Sequence, residues 1–215
     1  MWTTTATTTT ITKIQRLLTT NLPMSVVQNG NMILVDTGRA KGQESMFKKL
    51  NKICSNEEFK LIILTHTHPD HIETLASIAK KWDVKVLVHS SEAQNIVAHI
   101  DHERIIEFED SFDLNDIGIN GVVIHTPGHS PGSSSVILNN EIALVGDHIG
   151  DFYTKPWAKN KKKVSNSSLK SMERLLNLGC KLYIPAHKKN WFEYDQLNAV
   201  YQRYVNGEAV YEKQI

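Results

Sequence analysis

The segment Thr65-His66-Thr67-His68-Pro69-Asp70-His71 constrains this chain more than any other feature. It places three imidazoles and a carboxylate within six residues, directly after the apolar run Leu61-Ile62-Ile63-Leu64. Such a run reads as a short buried strand. Pro69 suits the first turn of a helix, where its missing N–H costs nothing. The chain therefore passes from strand through loop into helix at this point. Inside a helix, neighbouring side chains fan out by about 100° each, but a loop–helix junction can aim adjacent side chains at two points a few ångströms apart. His66 and His68 would project from the loop, Asp70 and His71 from the first helical turn. One segment can then serve two metal ions.

The same placement recurs downstream. His129 in Thr126-Pro127-Gly128-His129-Ser130, Asp147 in Val145-Gly146-Asp147 and His187 in Ile184-Pro185-Ala186-His187 each follow an apolar strand. Four strand ends would converge on one rim, where α/β proteins usually build their sites. Gly128 and Gly146 would let the backbone turn sharply beside these side chains. A donor set of nitrogen and oxygen without thiolate suits zinc, and also iron or manganese. His89, His99, His102, His125 and His148 lack this placement and read as structural or surface residues.

The rest of the pattern supplies a frame. Ile11 to Leu18, Met24 to Gln28 and Met32 to Val35 read as strands, the last two joined by a hairpin at Asn29-Gly30-Asn31. Gln43 to Cys54 is a helix with Met46, Phe47, Leu50 and Ile53 on one face. Helices are expected over Asp70–Trp82, Ser91–Ile100, Leu169–Leu178 and Phe192–Val205. Further strands are expected over Val84–Val88, Arg104–Phe108, Gly118–His125, Ser133–Leu138, Glu141–Val145 and Lys181–Ile184. Strand-rich blocks each followed by helices point to two packed sheets with helices outside. The stretch 153–168, with Lys155, Pro156, Trp157 and the run from Lys159 to Lys163, has no clear pattern. It is long enough to suspect an active-site loop, in which Tyr153, Lys155 and Trp157 would line a pocket.

Composition narrows the function classes. The 215 residues are enough for one sizeable core, and one domain is the default. Lysine and arginine number 24 against 23 acids, so no broad field attracts nucleic acid or an anionic membrane. The threonine-rich start, Met1 to Thr10, lacks the basic and apolar segments of a secretory signal, and no stretch reaches the roughly 18 apolar residues of a membrane span. A cytoplasmic protein is the simplest reading. Cys54 and Cys180 lie far apart and read as buried thiols rather than a disulfide or a thiolate zinc site.

With these residues in this order, the chain resembles the metallo-β-lactamase superfamily. The family's His-x-His-x-Asp-His motif stands here as His66-Thr67-His68-Pro69-Asp70-His71, and the resemblance runs from Leu34-Val35-Asp36-Thr37-Gly38 through His187. It implies an α+β fold, an αββα four-layer sandwich, over residues 1–215 as a single domain with the metals at one edge. It further implies that His66, His68 and His129 hold one metal, that Asp70, His71 and His187 hold a second, and that Asp147 bridges them. Asp36 would support the ligands from behind. The chain departs from the family pattern at Ala186-His187-Lys188, where Gly-His-Gly is usual, and at Glu73-Thr74, where glycine is frequent.

Two divalent metal ions, zinc first and iron or manganese as alternatives, would lower the pKa of bound water towards about 7 and polarise a carbonyl or phosphoryl oxygen. Asp70, beside that water, suits a catalytic role in orienting it or delivering a proton to the leaving group. The expected reaction is hydrolysis of an ester, thioester, lactone or phosphodiester of a small molecule. Common zinc β-lactamases carry cysteine where Asp147 stands, so the resemblance leans to the glyoxalase II and lactonase branches. About 28 residues follow His187, little room for the glutathione-binding extension of glyoxalase II, and the roughly 40 from Asp147 to His187 are too few for the inserted domain of the family's nucleases. Acyl-homoserine lactonases place a tyrosine where this chain has Gly150. Two other classes stay open: a persulfide dioxygenase-like enzyme with one iron, and a non-catalytic protein that holds metal as a binder or sensor. Oligomeric state is not readable.

Overall fold

The computed structural model describes residues 2–4, 8–14, 22–153, 163–187 and 191–211. Seven strands form a first sheet in chain order: β1 (Trp2–Thr4), β2 (Thr9–Lys13), β3 (Met24–Gln28), β4 (Asn31–Val35), β5 (Glu58–Ile63), β6 (Lys85–His89) and β7 (Ile105–Phe108). Pairing is antiparallel as far as β4 and parallel from β4 to β7. The second sheet contains β8 (Ser111–Asp113), β9 (Gly121–His125), β10 (Ser134–Leu138), β11 (Ile142–Leu144), β12 (Leu182–Ile184) and β13 (Phe192–Glu193), again in sequence order across the sheet. Only β11 and β12 run parallel in it.

Alternation along the strands decides the layering, because successive side chains point to opposite faces. Ile33, Val35, Leu61, Ile63 and Leu87 face inward and meet Val123, Val136, Ile142, Leu144 and Ile184 of the second sheet. Their neighbours Met32, Leu34, Ile62, Val86 and Val88 face outward against Met46 and Leu50 of α1 (Gln43–Cys54) and other helical residues. On the far side, Ile137, Ala143 and Tyr183 meet Met172, Leu175 and Leu176 of α5 (Asn166–Asn177) and Leu197 and Val200 of α6 (Tyr194–Val205). The result is two mixed sheets face to face with helices on both outer faces, the four-layer α+β sandwich expected.

Several elements differ from the periodicity reading. The helix expected over Asp70–Trp82 is two pieces, α2 (Pro69–Ile72) and α3 (Leu75–Trp82). The break serves the loop after β4: the Thr74 hydroxyl donates to Thr37 O at 2.6 Å, and the Ala40 N–H donates to the Glu73 carboxylate at 2.9 Å. The helix expected over Ser91–Ile100 is one turn, α4 (Ser90–Ala93), continued by short i to i+3 turns. Phe192 pairs in β13 instead of opening α6, and β8 carries no alternation strong enough to mark it in advance. The strand expected over Ile11–Leu18 is β2, ending at Lys13, and 15–18 lie outside the described residues. Cys180 is buried, but Cys54 at the end of α1 is only half-buried. Among the described residues, no helix is long and apolar enough to cross a membrane.

Candidate metal centre

The four segments singled out by their strand-plus-ligand pattern meet at one edge of the sandwich. His66 and His68 follow β5, His129 follows β9, Asp147 follows β11 and His187 follows β12. His68 is the extended residue that opens α2, with Pro69 in the first turn, so Asp70 and His71 project from that turn. Gly128 and Gly146 both take positive φ, +145° and +52°, at the sharp turns beside His129 and Asp147.

The donor atoms sort into two groups. In the first, His68 Nδ1 lies 3.0 Å from His66 Nε2 and 3.0 Å from His129 Nε2, and Asp147 Oδ2 lies 3.5 Å from His129 Nε2 and 4.0 Å from His66 Nε2. In the second, His187 Nε2 lies 3.1 Å from Asp70 Oδ2, beside His71 Nε2. The other Asp147 oxygen, Oδ1, turns to this second group, 3.3 Å from His187 Nε2 and 3.4 Å from His71 Nε2. Each oxygen of one carboxylate therefore addresses one group.

These residues fit a divalent cation. Four nitrogen or oxygen ligands about 2.0–2.1 Å from a tetrahedral zinc ion would lie roughly 3.3 Å from one another, and the first group spans 3.0 to 4.0 Å. His71 Nε2 and Asp147 Oδ1 are buried and face each other at 3.4 Å without a well-formed hydrogen bond, an arrangement that costs free energy unless a protonated His71 or a metal cation answers the carboxylate.

The outer ring nitrogens fix which nitrogen faces inward. His71 Nδ1 donates to Asp36 Oδ2 at 2.9 Å. The Thr65 hydroxyl donates to the same carboxylate at 2.8 Å and accepts from His66 Nδ1 at 3.2 Å, while Thr65 N–H donates to Asp36 Oδ1 at 2.8 Å. His129 Nδ1 donates to Asp151 at 3.2 Å. With each outer nitrogen carrying the proton, the inner lone pairs point at the cluster, the usual device of metal-binding imidazoles. Asp36, the expected support, is fully buried and takes φ +57°, a conformation tolerated by aspartate better than by most side chains.

Charge follows this geometry. Burial opposes protonation of His71, but the carboxylates of Asp36 and Asp147 overcome it and raise His71 to about 10. Burial and the neighbouring His71 push His66 down to about 2. Burial would raise Asp147, yet His71 facing it at 3.4 Å and the surrounding histidines hold it well below the usual carboxylate range.

Asp151 and Glu92 are site residues that the strand-end pattern did not mark. Asp151 lies four residues after Asp147 in a 3-10 turn (His148–Phe152), and an acid one turn beyond a ligand is the signal that could have found it. Glu92, on α4, accepts hydrogen bonds from both ligand-bearing loops, and no local signal reveals it. Burial would raise Glu92, but bonds from Ser130, Thr67 and Gly132 hold it below its ordinary value. Of the histidines read as non-ligands, His148 is buried against Phe152, where burial pushes it to about 4, and His89 stacks on His125 with centroids 3.7 Å apart. A cavity of about 290 Å³ opens beside the donors, lined by Ile149, Asp151, Tyr153, Pro185 and Phe192 along with His129, Asp147 and His187. Lys155, Trp157 and Lys159 to Lys162 lie outside the described residues, and Lys163 is exposed.

Residues 24–187 match the family described as the metallo-β-lactamase superfamily. The chain belongs to that superfamily. A probable metallo-hydrolase of Bacillus subtilis, YqgX, is 28% identical over 102 residues, 40% of this chain and 47% of that protein. A hydroxyacylglutathione hydrolase of Xylella fastidiosa is 30% identical over 123 residues, 57% of this chain and 42% of that protein. The chain spans about half the length of the curated relatives it matches. Among solved structures, the apo chemotaxis sensor ODP from T. denticola superposes with a TM-score of 0.66 at 19% identity, covering 84% of this chain and 83% of that one. A chemotaxis sensor ODP structure described as a peroxy diiron species gives a TM-score of 0.70 at 18% identity, over 98% and 96%. At these identities the superpositions show the metallo-β-lactamase fold alone.

Proposed function

We propose that this chain is a hydrolase that uses two divalent metal ions, zinc by preference, to cleave an ester, thioester, lactone or phosphodiester of a small molecule. The observation that carries the reading is Asp147, whose two oxygens face two separate donor groups. His66, His68, His129 and Asp147 would hold one ion; Asp70, His71, His187 and Asp147 the other. When bound, the metals supply a water acidified to near-neutral pKa and a positive charge that polarises the scissile group.

The chain's own residues do the rest. Asp36 and Asp151 keep the imidazoles of His71 and His129 turned inward. Asp70, about one-fifth exposed and 3.5 Å from the Arg39 guanidinium, sits at the open lip, where its carboxylate can hold a proton and pass it to a leaving group. Ile149, Tyr153, Pro185 and Phe192 offer an apolar wall that orients one arm of the substrate and excludes water. A volume near 290 Å³ suits a small molecule.

The test combines metal analysis with a panel of thioester, lactone and phosphodiester substrates. About two zinc or manganese equivalents and turnover of one class are expected, with turnover lost in both Asp147→Ala and His129→Ala. Hydrolysis unchanged in those variants would refute the assignment. A second reading, a metal-holding sensor, is favoured by the near end-to-end superposition on the chemotaxis sensor ODP. Tight iron binding without turnover of any panel substrate would select it. A single iron with oxygen consumption on a persulfide would select a dioxygenase instead.

A further inference from the structure

Among the described residues, His68 is the one histidine of the first donor group whose outer nitrogen no side chain supports. His66 and His129 donate their outer N–H to Thr65 and Asp151, whereas among the described residues no side chain engages His68 Nε2. Yet His68 Nδ1 stands 3.0 Å from both partners, at the centre of the group. Its direction must come from the backbone on either side, Thr67 and Pro69.

The backbone at Thr67 is held by a buried carboxylate. Glu92 is 4% exposed and lies on α4, directly after β6. Its Oε2 accepts from Thr67 N–H at 3.1 Å and from the Thr67 hydroxyl; Asn95 Nδ2 donates to that hydroxyl at 2.8 Å. Its Oε1 accepts from Gly132 N–H at 3.2 Å. Thr67 separates His66 from His68, and Gly132 lies three residues after His129. One carboxylate thus spans the loop from the first sheet and the loop from the second. The approach is close: a Cβ at Gly132 would fall 2.3 Å from Glu92 Cγ and 3.2 Å from His89 Cβ. A backbone bond, Ser134 N–H to Thr65 O at 2.8 Å, joins the same loops nearer the strands and leaves the ligand-bearing tips to Glu92.

We propose that Glu92 is a positioning residue: it clamps the His66–His68 loop to the His129 loop and so sets the spacing of the three imidazoles. The proposal rests on reading His66, His68, His129 and Asp147 as a metal-holding group, and it adds what fixes that group's shape. Both carboxylate oxygens are used, each by a different backbone N–H. Glutamine keeps the volume but has one acceptor, so its NH₂ must face one of the two N–H groups and one strut is lost.

The test compares the wild-type chain with Glu92→Gln by cobalt(II) titration, read by visible absorption and by competition with a chelator. A His187→Ala background isolates the first group. Glu92→Gln is expected to stay folded, to weaken cobalt at the first group about ten- to a hundredfold, to alter its absorption band, and to leave the second group's affinity unchanged. Wild-type affinity and spectrum in Glu92→Gln would overturn the clamp while leaving the metal reading intact. Equal weakening at both groups, tracking a fall in melting temperature, would also overturn it, since that is general destabilisation. A wild-type chain that binds no cobalt would overturn the metal reading itself. If Glu92→Ala fails to fold, the volume-conserving glutamine variant still decides the question.

Discussion

Replacing Asp36 with asparagine should cost the second metal and spare the first. Asp36 Oδ1 accepts from Thr65 N–H and, at 3.1 Å, from the Thr65 hydroxyl that supports His66, so that support survives on this oxygen alone, while Oδ2 accepts from His71 Nδ1 and from the same hydroxyl. Asparagine can keep its oxygen on Thr65, which leaves its NH₂ facing His71 Nδ1. That ring nitrogen must then accept, and in the neutral imidazole the proton moves to Nε2, the atom aimed at the second group. The hydrogen bond lost, one to a charged acceptor, is worth about 1.5–3 kcal/mol. At about 1.4 kcal/mol per tenfold, this corresponds to a roughly ten- to hundredfold weaker second ion, the usual range for outer partners of metal-bound histidines. Asparagine also frees His71 from the proton that Asp36 stabilises, which alone would favour metal. A dication carries twice the charge of that proton, however, so loss of the carboxylate is the larger effect. Calorimetric or chelator-competition titration at pH 7 measures both steps. Two ions bound with wild-type affinity, or equal weakening of both, would refute the reasoning.

The other predictions are briefer. His187→Ala should reduce metal content from two equivalents towards one, measured by elemental analysis, because it removes a donor 3.1 Å from Asp70 and 3.3 Å from Asp147. Since His71 is raised to about 10, it is protonated at pH 7 before metal arrives, and loading the second group should release a proton. Calorimetry in two buffers of different ionisation enthalpy should detect it, with affinity rising by up to about tenfold per pH unit below pH 10. In the metal-free protein the same raised pKa contributes stability that is fully present below the ordinary value of 6.5 and is lost as pH rises through about 10, so alkaline melts should show a falling melting temperature. Phe152→Ala, fully buried in the core and 5.3 Å from the Tyr204 ring, should lower stability by about 3–5 kcal/mol in denaturant melts.

Much of this arrangement is legible in the sequence. The uninterrupted apolar runs Met32–Val35 and Leu61–Leu64 mark two strands, and every donor of the two groups lies on a short segment that follows a strand, Asp70 and His71 in the first turn of α2. What stayed hidden is tertiary. Glu73 and Thr74 look like helix interior by spacing, but their side chains bind the loop after β4, and that long-range pairing breaks the helix. Glu92 lies 25 residues from Thr67 and 40 from Gly132. No period or motif links those positions; only the packing of two sheets does. Asp151 is the easier of the two to mark, because it belongs to the same short segment as Asp147.

The donors come from both halves of the sandwich. His66, His68, Asp70 and His71 leave the first sheet; His129, Asp147 and His187 leave the second. A bound ion would therefore rivet the two halves together, across a span of chain reaching from residue 66 to residue 187. Such long loops must close before the donors meet, so the ion would reward completed folding rather than seed it. At a free concentration one hundred times its dissociation constant, a ligand that binds only the native state adds about 2.7 kcal/mol. Metal supply would then set how long the chain survives proteolysis as well as how well it works.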